Sequence, residues 1–122
     1  MSKEKSLETV VYLANQKPNI EHISALKIIF AADMMHFKLY GRTVTEDIYV
    51  QTGAWFLPTR VMDVINCDFL NCDAAFTNKV LESLRVTQQG KSKLIFSLRD
   101  ADFSVFSVSD LDCLQSAFHS HF

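Results

Sequence analysis

Apolar residues in the stretch 6–15 fall at Leu7, Val10, Val11 and Ala14, a spacing that predicts a helix, and the polar Lys17-Pro18-Asn19 predicts its end. From Glu21 or His22 the chain stays largely apolar as far as Tyr40. Gly41 stands where a left-handed residue closes a helix, so a second, longer helix is predicted up to Tyr40. Residues 43–51 are β-branched and alternating enough to be extended. Pro58 suits the first turn of a third helix reaching about Asn66, since its missing amide hydrogen costs nothing there. Residues 73–83 predict a fourth helix with Phe76, Val80 and Leu84 sharing a face. Residues 84–88 and 92–98 then read as two strands joined by Gln89-Gly90-Lys91. Ser107 followed three residues later by Asp110 has the form of a capping box, which starts a last helix ending near His119. The expected fold class is α+β: a single compact helical domain, mainly α, with a small antiparallel β element.

At about 100° per residue, the second helix places Leu26, Ile29, Phe30, Asp33, Phe37 and Tyr40 on one face, with His36 at its margin. Ile28, Ala31, Ala32, Met35 and Leu39 form an opposite apolar arc. Only Lys27, Met34 and Lys38 are left as a solvated strip. A helix this apolar is expected either at the centre of its domain or with one face given to self-association or a partner. Asp33 is the exception on its face, because a buried carboxylate needs hydrogen bonds or an opposite charge. Arg42, the Tyr49 hydroxyl, His36 and the amides of the following loop are the candidates. Asp33 is therefore expected to pin the segment 41–49 against the helix.

Composition narrows the function. With 122 residues, 48% of them apolar and ten Phe, the chain is long enough for one domain with a real core. A net charge of −2 gives no electrostatic reason to expect nucleic acid as a direct partner. The longest apolar run is too short to cross a bilayer and the N-terminus lacks a signal-peptide pattern, so a cytoplasmic protein with no membrane partner is expected. Cys67, Cys72 and Cys113 cannot all be paired and fit no zinc spacing, which predicts reduced thiols. His119 and His121 with Cys113 fall short of the four ligands of a structural zinc site. Asp33 and His36 at i, i+3 have the spacing of an acid/base or metal-binding pair. A glycine-rich phosphate loop, a nucleophile elbow and an HExxH motif are all missing, and a small metal-dependent enzyme is the weaker reading. No catalytic, cofactor-binding or metal-binding residue is assigned.

Trp55, the only Trp, and Phe56 lie between Gly53-Ala54 and Leu57-Pro58, in what reads as a surface turn. Trp55, Phe56 and Leu57 are thus candidates for binding a partner. The alternative is that the two rings fold inward and fill a groove between the second and third helices.

Lys27, Phe30, Ala32-Asp33, His36, Tyr40-Gly41-Arg42, Thr45, Asp47, Tyr49-Val50, Pro58, Val61 and Asp63 follow in order a known pattern. It is that of the Panacea antitoxin domain, in which a helix of the type LKLLYFADxxHxxxYGR precedes an extended piece and a GPVP turn. The chain resembles that family best over residues 23–65, and its SVSDLDCL segment is similar to the family's closing helix, here 107–119. Trp55-Phe56-Leu57-Pro58 stands where the family has Gly-Pro-Val-Pro, two large aromatics replacing a stiff turn.

The resemblance makes Asp33, His36, Tyr40, Gly41, Arg42, Asp47, Tyr49 and Pro58 the structural motif of one domain spanning 1–122. It implies a non-catalytic antitoxin of phage or toxin-antitoxin systems that binds and neutralises a toxin protein, with no cofactor. Some relatives instead act as adaptors that deliver a toxin to an ATP-dependent protease. A homodimer through the back of the second helix stays open, and no added DNA-binding helix-turn-helix is detected.

Overall fold

The computed structural model describes residues 2–66 and 74–122; Cys67, Cys72 and Asp73, the expected start of the fourth helix, lie outside the described residues. Helix α1 spans Ser2–Gln16, strand β1 Ile20–Glu21 and helix α2 His22–Tyr40. Strands β2 (Tyr49–Thr52) and β3 (Trp55–Pro58) follow, then helices α3 (Thr59–Asn66) and α4 (Ala74–Ser83). Strands β4 (Leu84–Gln89) and β5 (Ser92–Ser97), a short 3-10 turn (Phe103–Val105) and helix α5 (Val108–His121) complete the described chain. The expected α+β class is correct.

The two hairpins divide the β structure. β4 and β5 pair antiparallel from Leu84 opposite Ser97 to Gln89 opposite Ser92, and Gly90 at φ 62° supplies the turn. The short β1, not foreseen in the sequence, adds to the other edge of β5 through Ile20 opposite Ile95. β2 and β3 form the second hairpin, with Thr52 opposite Trp55 and Tyr49 opposite Pro58.

That second hairpin corrects two expectations. Residues 43–48 are not a strand but a loop that folds back over α2, and only Tyr49–Thr52 is extended pairing. Trp55, Phe56 and Leu57 belong to a strand rather than a turn, the turn being Gly53-Ala54. Pro58 ends β3 instead of opening α3. The ladder continues past it through the Thr59 amide, which donates to the Ile48 carbonyl at 2.9 Å.

The helix at the centre is α1, not the more apolar α2. Every residue from Ser6 to Ala14 is buried, on all sides of the helix, because α1 contacts α2, α3, β5 and the 3-10 turn. Its polar residues inside are each partnered. Glu8 accepts both forks of the Arg99 guanidinium at 2.8 and 2.7 Å and the Asp102 amide at 2.8 Å. Asn15, two turns further on the same side, donates to Ser97 and the Arg99 carbonyl and accepts from the Ala101 amide. Together these two side chains strap residues 97–102 onto α1.

Helix α2 packs one side on α5, with Ala25, Ile28, Ile29, Ala32, Asp33 and His36 inward. Of the face assigned to Leu26, Ile29, Phe30, Asp33, Phe37 and Tyr40, the structure buries Leu26, Ile29 and Asp33 and exposes Phe30, Phe37 and Tyr40. Gly41 caps the helix at φ 80°, its amide donating to the Phe37 carbonyl. Among the late aromatics, Phe106 and Phe118 pack on the core while Phe96 and Phe103 stay exposed. Helix α5 begins with the reciprocal Ser107–Asp110 capping box and continues through His121.

Candidate functional site

Two layers meet on the outer side of α2: a buried polar lock that fixes the 41–49 loop, and an exposed aromatic surface resting on it. Asp33 is the centre of the first lock. Its carboxylate accepts the Thr45 amide at 3.0 Å, the Thr45 hydroxyl at 2.7 Å and the Tyr49 hydroxyl at 2.6 Å. The expected pinning of the loop is present, made by Tyr49 and a loop amide among the four candidates. Burial raises the Asp33 carboxyl above its ordinary range, opposed by those three hydrogen bonds. Burial, together with the facing Asp33 charge, pushes the Tyr49 hydroxyl far up as well, so it acts as a donor.

Arg42 and His36, the other two candidates, serve a second lock built on Asp110. The Arg42 guanidinium reaches Asp110 at 3.0 Å, and the Lys5 ammonium of α1 reaches it at 2.9 Å. His36, fully buried, has Nδ1 2.7 Å from the Arg42 carbonyl, so that nitrogen carries a proton. Its Nε2 faces the Ser109 hydroxyl at 2.9 Å and Asp110 at 3.3 Å. Tyr40 covers the imidazole, ring centroids 4.6 Å apart. Burial alone would raise the Asp110 carboxyl, but the Ser107 amide, Lys5 and Arg42 hold it below its ordinary range.

The sequence marked Asp110 only as a capping residue; its second role, tying α1, α2 and the loop to α5, was missed. The available signal was an Arg42 whose fork had no assigned carboxylate once Asp33 was given to Tyr49.

Asp47 makes the third lock. Its two oxygens accept the Arg60 and Val61 amides at 3.0 and 2.9 Å, and the Thr59 and Ser6 hydroxyls reach it at 3.3 Å. A residue twelve or more positions upstream thus caps the N-terminus of α3. Of the other motif residues, Gly41 ends α2, Pro58 ends β3 and Tyr40 covers His36. Among the described residues no buried side-chain nitrogen or oxygen lacks a hydrogen-bond partner.

The aromatic surface grows directly from this scaffold. The Tyr49 ring, held by Asp33, meets Phe30 edge-on at 5.9 Å, and Phe30 stacks on Phe56 at 6.4 Å with planes 16° apart. Trp55 is 56% exposed and Phe56 49%, whereas Leu57 is half-buried beneath them. Trp55 borders two hollows. One, of about 290 Å³, lies between Leu26, Lys27 and Phe30 of α2 and residues 54–57. The other, of about 200 Å³, lies between His22, Ile23 and Leu26, Trp55 with Thr52 and Leu57, and Met62 of α3. The indole therefore stands in the mouth of the groove between α2 and α3 without filling it. Phe30 and Ile23 belong to this surface too, although the sequence placed Phe30 with Asp33, and Met34 is exposed beside Lys27 and Lys38 as the solvated strip requires.

Among the described residues, no three His, Cys, Asp or Glu side chains converge as a metal site. His119 and His121 are exposed on the last turns of α5 and pack on Phe118 and Phe122, while Cys113 is a buried free thiol that burial raises in pKa. No helix among the described residues is long and apolar enough to cross a membrane. Comparison of the chain with protein-family models, with curated proteins and with solved structures returns no match. Fold and surface define a class no finer than a small α+β domain with an exposed aromatic face.

Proposed function

We propose that this chain is a non-catalytic binding module that grips a partner protein through Phe30, Trp55 and Phe56 and holds the partner inactive, as an antitoxin does a toxin. One observation carries the reading: an exposed aromatic cluster mounted on a scaffold in which, among the described residues, every buried side-chain nitrogen and oxygen has a hydrogen-bond partner. Exposed, clustered Trp and Phe on a fixed backbone are the residue types that dominate binding energy at protein interfaces. Pre-organisation by the Asp33 and Asp47 locks lowers the ordering cost of association. The resemblance of residues 23–65 to Panacea antitoxins supplies the class of partner, a toxin acting in the cytoplasm, and the motif residues serve as scaffold rather than as chemistry.

The test is affinity purification of the tagged chain from its native cell, wild type beside Trp55→Ala, with mass spectrometry of co-eluting protein. A single stoichiometric partner that is lost in the folded variant is the expected result. If that partner is a toxin, co-expression of the chain restores growth and co-expression of Trp55→Ala does not. Recovery of the chain alone in both forms overturns the reading.

A further inference from the structure

The outward arc of α2 combines exposed apolar side chains with two lysines. Ile23, Phe30, Met34 and Phe37 are 43, 36, 37 and 56% exposed and line up along the helix for about four turns, roughly 22 Å. Lys27 and Lys38 flank them, exposed and without an ion pair among the described residues. The only carboxylate in α2 is Asp33, which is fully buried beneath the Tyr49 ring and taken up by the Thr45 and Tyr49 donors. None of the residues lining the two hollows beside Trp55 is Asp or Glu. This surface is therefore cationic and apolar on a chain whose net charge is −2.

Three physical points select an occupant. A stripe along a helix offers no free backbone groups for strand pairing, so the occupant must satisfy its own backbone, which an α-helix does. The two hollows that Trp55 borders are lined mainly by apolar residues, so each suits an apolar side chain. A second copy of this chain, docked about a two-fold axis, would bring the Lys27 and Lys38 face onto itself, like charge against like.

Resting on the binding reading above, we propose that this face takes an acidic amphipathic helix of the partner protein. The partner's apolar stripe lies along Ile23, Phe30, Met34 and Phe37, two of its side chains enter the hollows beside Trp55, and its flanking carboxylates meet Lys27 and Lys38.

The experiment is selection on the full chain from a displayed library of helical peptides with a fixed apolar stripe and randomised flanking positions. The expected result is enrichment of Asp and Glu at the flanks. Synthetic winners shift the emission of Trp55, the only Trp in the chain. The double variant Lys27→Glu, Lys38→Glu, shown by circular dichroism to be folded, weakens them about tenfold or more and favours Lys-flanked versions of the same peptides.

A selection that yields no binders, binders without acidic bias, or binders indifferent to the charge reversal overturns the proposal. So does a free chain that sediments as a dimer and becomes a monomer on Trp55→Ala, because the second copy is then the occupant. Failure here is separable from failure of the binding reading. A co-purified partner that contacts the chain through a basic or non-helical segment sinks the acidic helix and leaves the binding module standing.

Discussion

Replacing Asp33 by Ala is the most direct perturbation of the scaffold, and its size follows from the three hydrogen bonds the carboxylate accepts. The Thr45 amide and hydroxyl are both buried and lose their acceptor, each at about 1–3 kcal/mol. The Tyr49 hydroxyl, buried against the carboxylate, loses its acceptor as well and adds to the loss. Relief from burying a carboxylate, whose folded pKa is raised by that burial, offsets part of the loss. The net expectation is a destabilisation of about 3 kcal/mol, a large fraction of the roughly 5–15 kcal/mol that holds a domain together. At roughly 4 °C per kcal/mol for a chain of this size, the melting temperature falls by about 12 °C.

Thermal and urea unfolding followed by circular dichroism read this directly. Asp33→Asn serves as the control for charge: it keeps an oxygen for the Thr45 amide and offers an NH2 group to hydroxyls that can accept, so its loss is about 1 kcal/mol. The loop should respond locally, with the Thr45 amide exchanging hydrogen faster in the Ala variant than in the Asn variant. An Ala variant that melts within about 2 °C of wild type refutes the pinning argument.

Asp47→Ala removes the remote cap of α3 and should cost about 1–2 kcal/mol, with faster hydrogen exchange at the Arg60 and Val61 amides and at the Ile48 amide that it also holds. Asp110 titrates below its ordinary value of 3.8 in the folded chain, so the stability it contributes is complete above that value and is lost as pH falls through the lower folded value. Asp110→Asn should therefore be less stable than wild type at neutral pH, and the gap should narrow in acid unfolding below pH 3.8; an unchanged gap contradicts the assignment. Trp55→Ala should change unfolding free energy by less than about 1 kcal/mol, because the ring is more exposed than buried; a collapse of the fold would make it a core residue instead.

Local chemistry was readable in the chain wherever a signal is short-range. The left-handed Gly41 after an apolar helix, the Gly90 turn and the Ser107–Asp110 box each act within a few residues, and each lies where the sequence puts it. A lone Asp on an apolar stripe likewise announced that it needed donors, and the loop just beyond the helix held them. What the sequence could not rank was which helix is central. Apolarity favoured α2, yet α1 is enclosed, because Glu8 and Asn15 find partners some 80 to 90 residues away in Arg99 and its neighbours. Nor could it divide Arg42 between Asp33 and Asp110, a choice made by how α5 docks on α2.

The surface shows the same division. Trp55 and Phe56 were visible as departures from the pattern the motif resembles, but the strand that carries them exists only because Tyr49–Thr52 folds back to pair with it. The exposure of Phe30 depends on α5 covering the opposite side of α2. Sequence determined the helices, the β4–β5 hairpin and the buried carboxylate's need for partners, since these follow from nearest neighbours along the chain, whereas the β2–β3 hairpin did not. Tertiary structure alone decided which apolar faces were used up in the core and which were left facing solvent, because burial is a property of what packs against a residue and not of the residue itself.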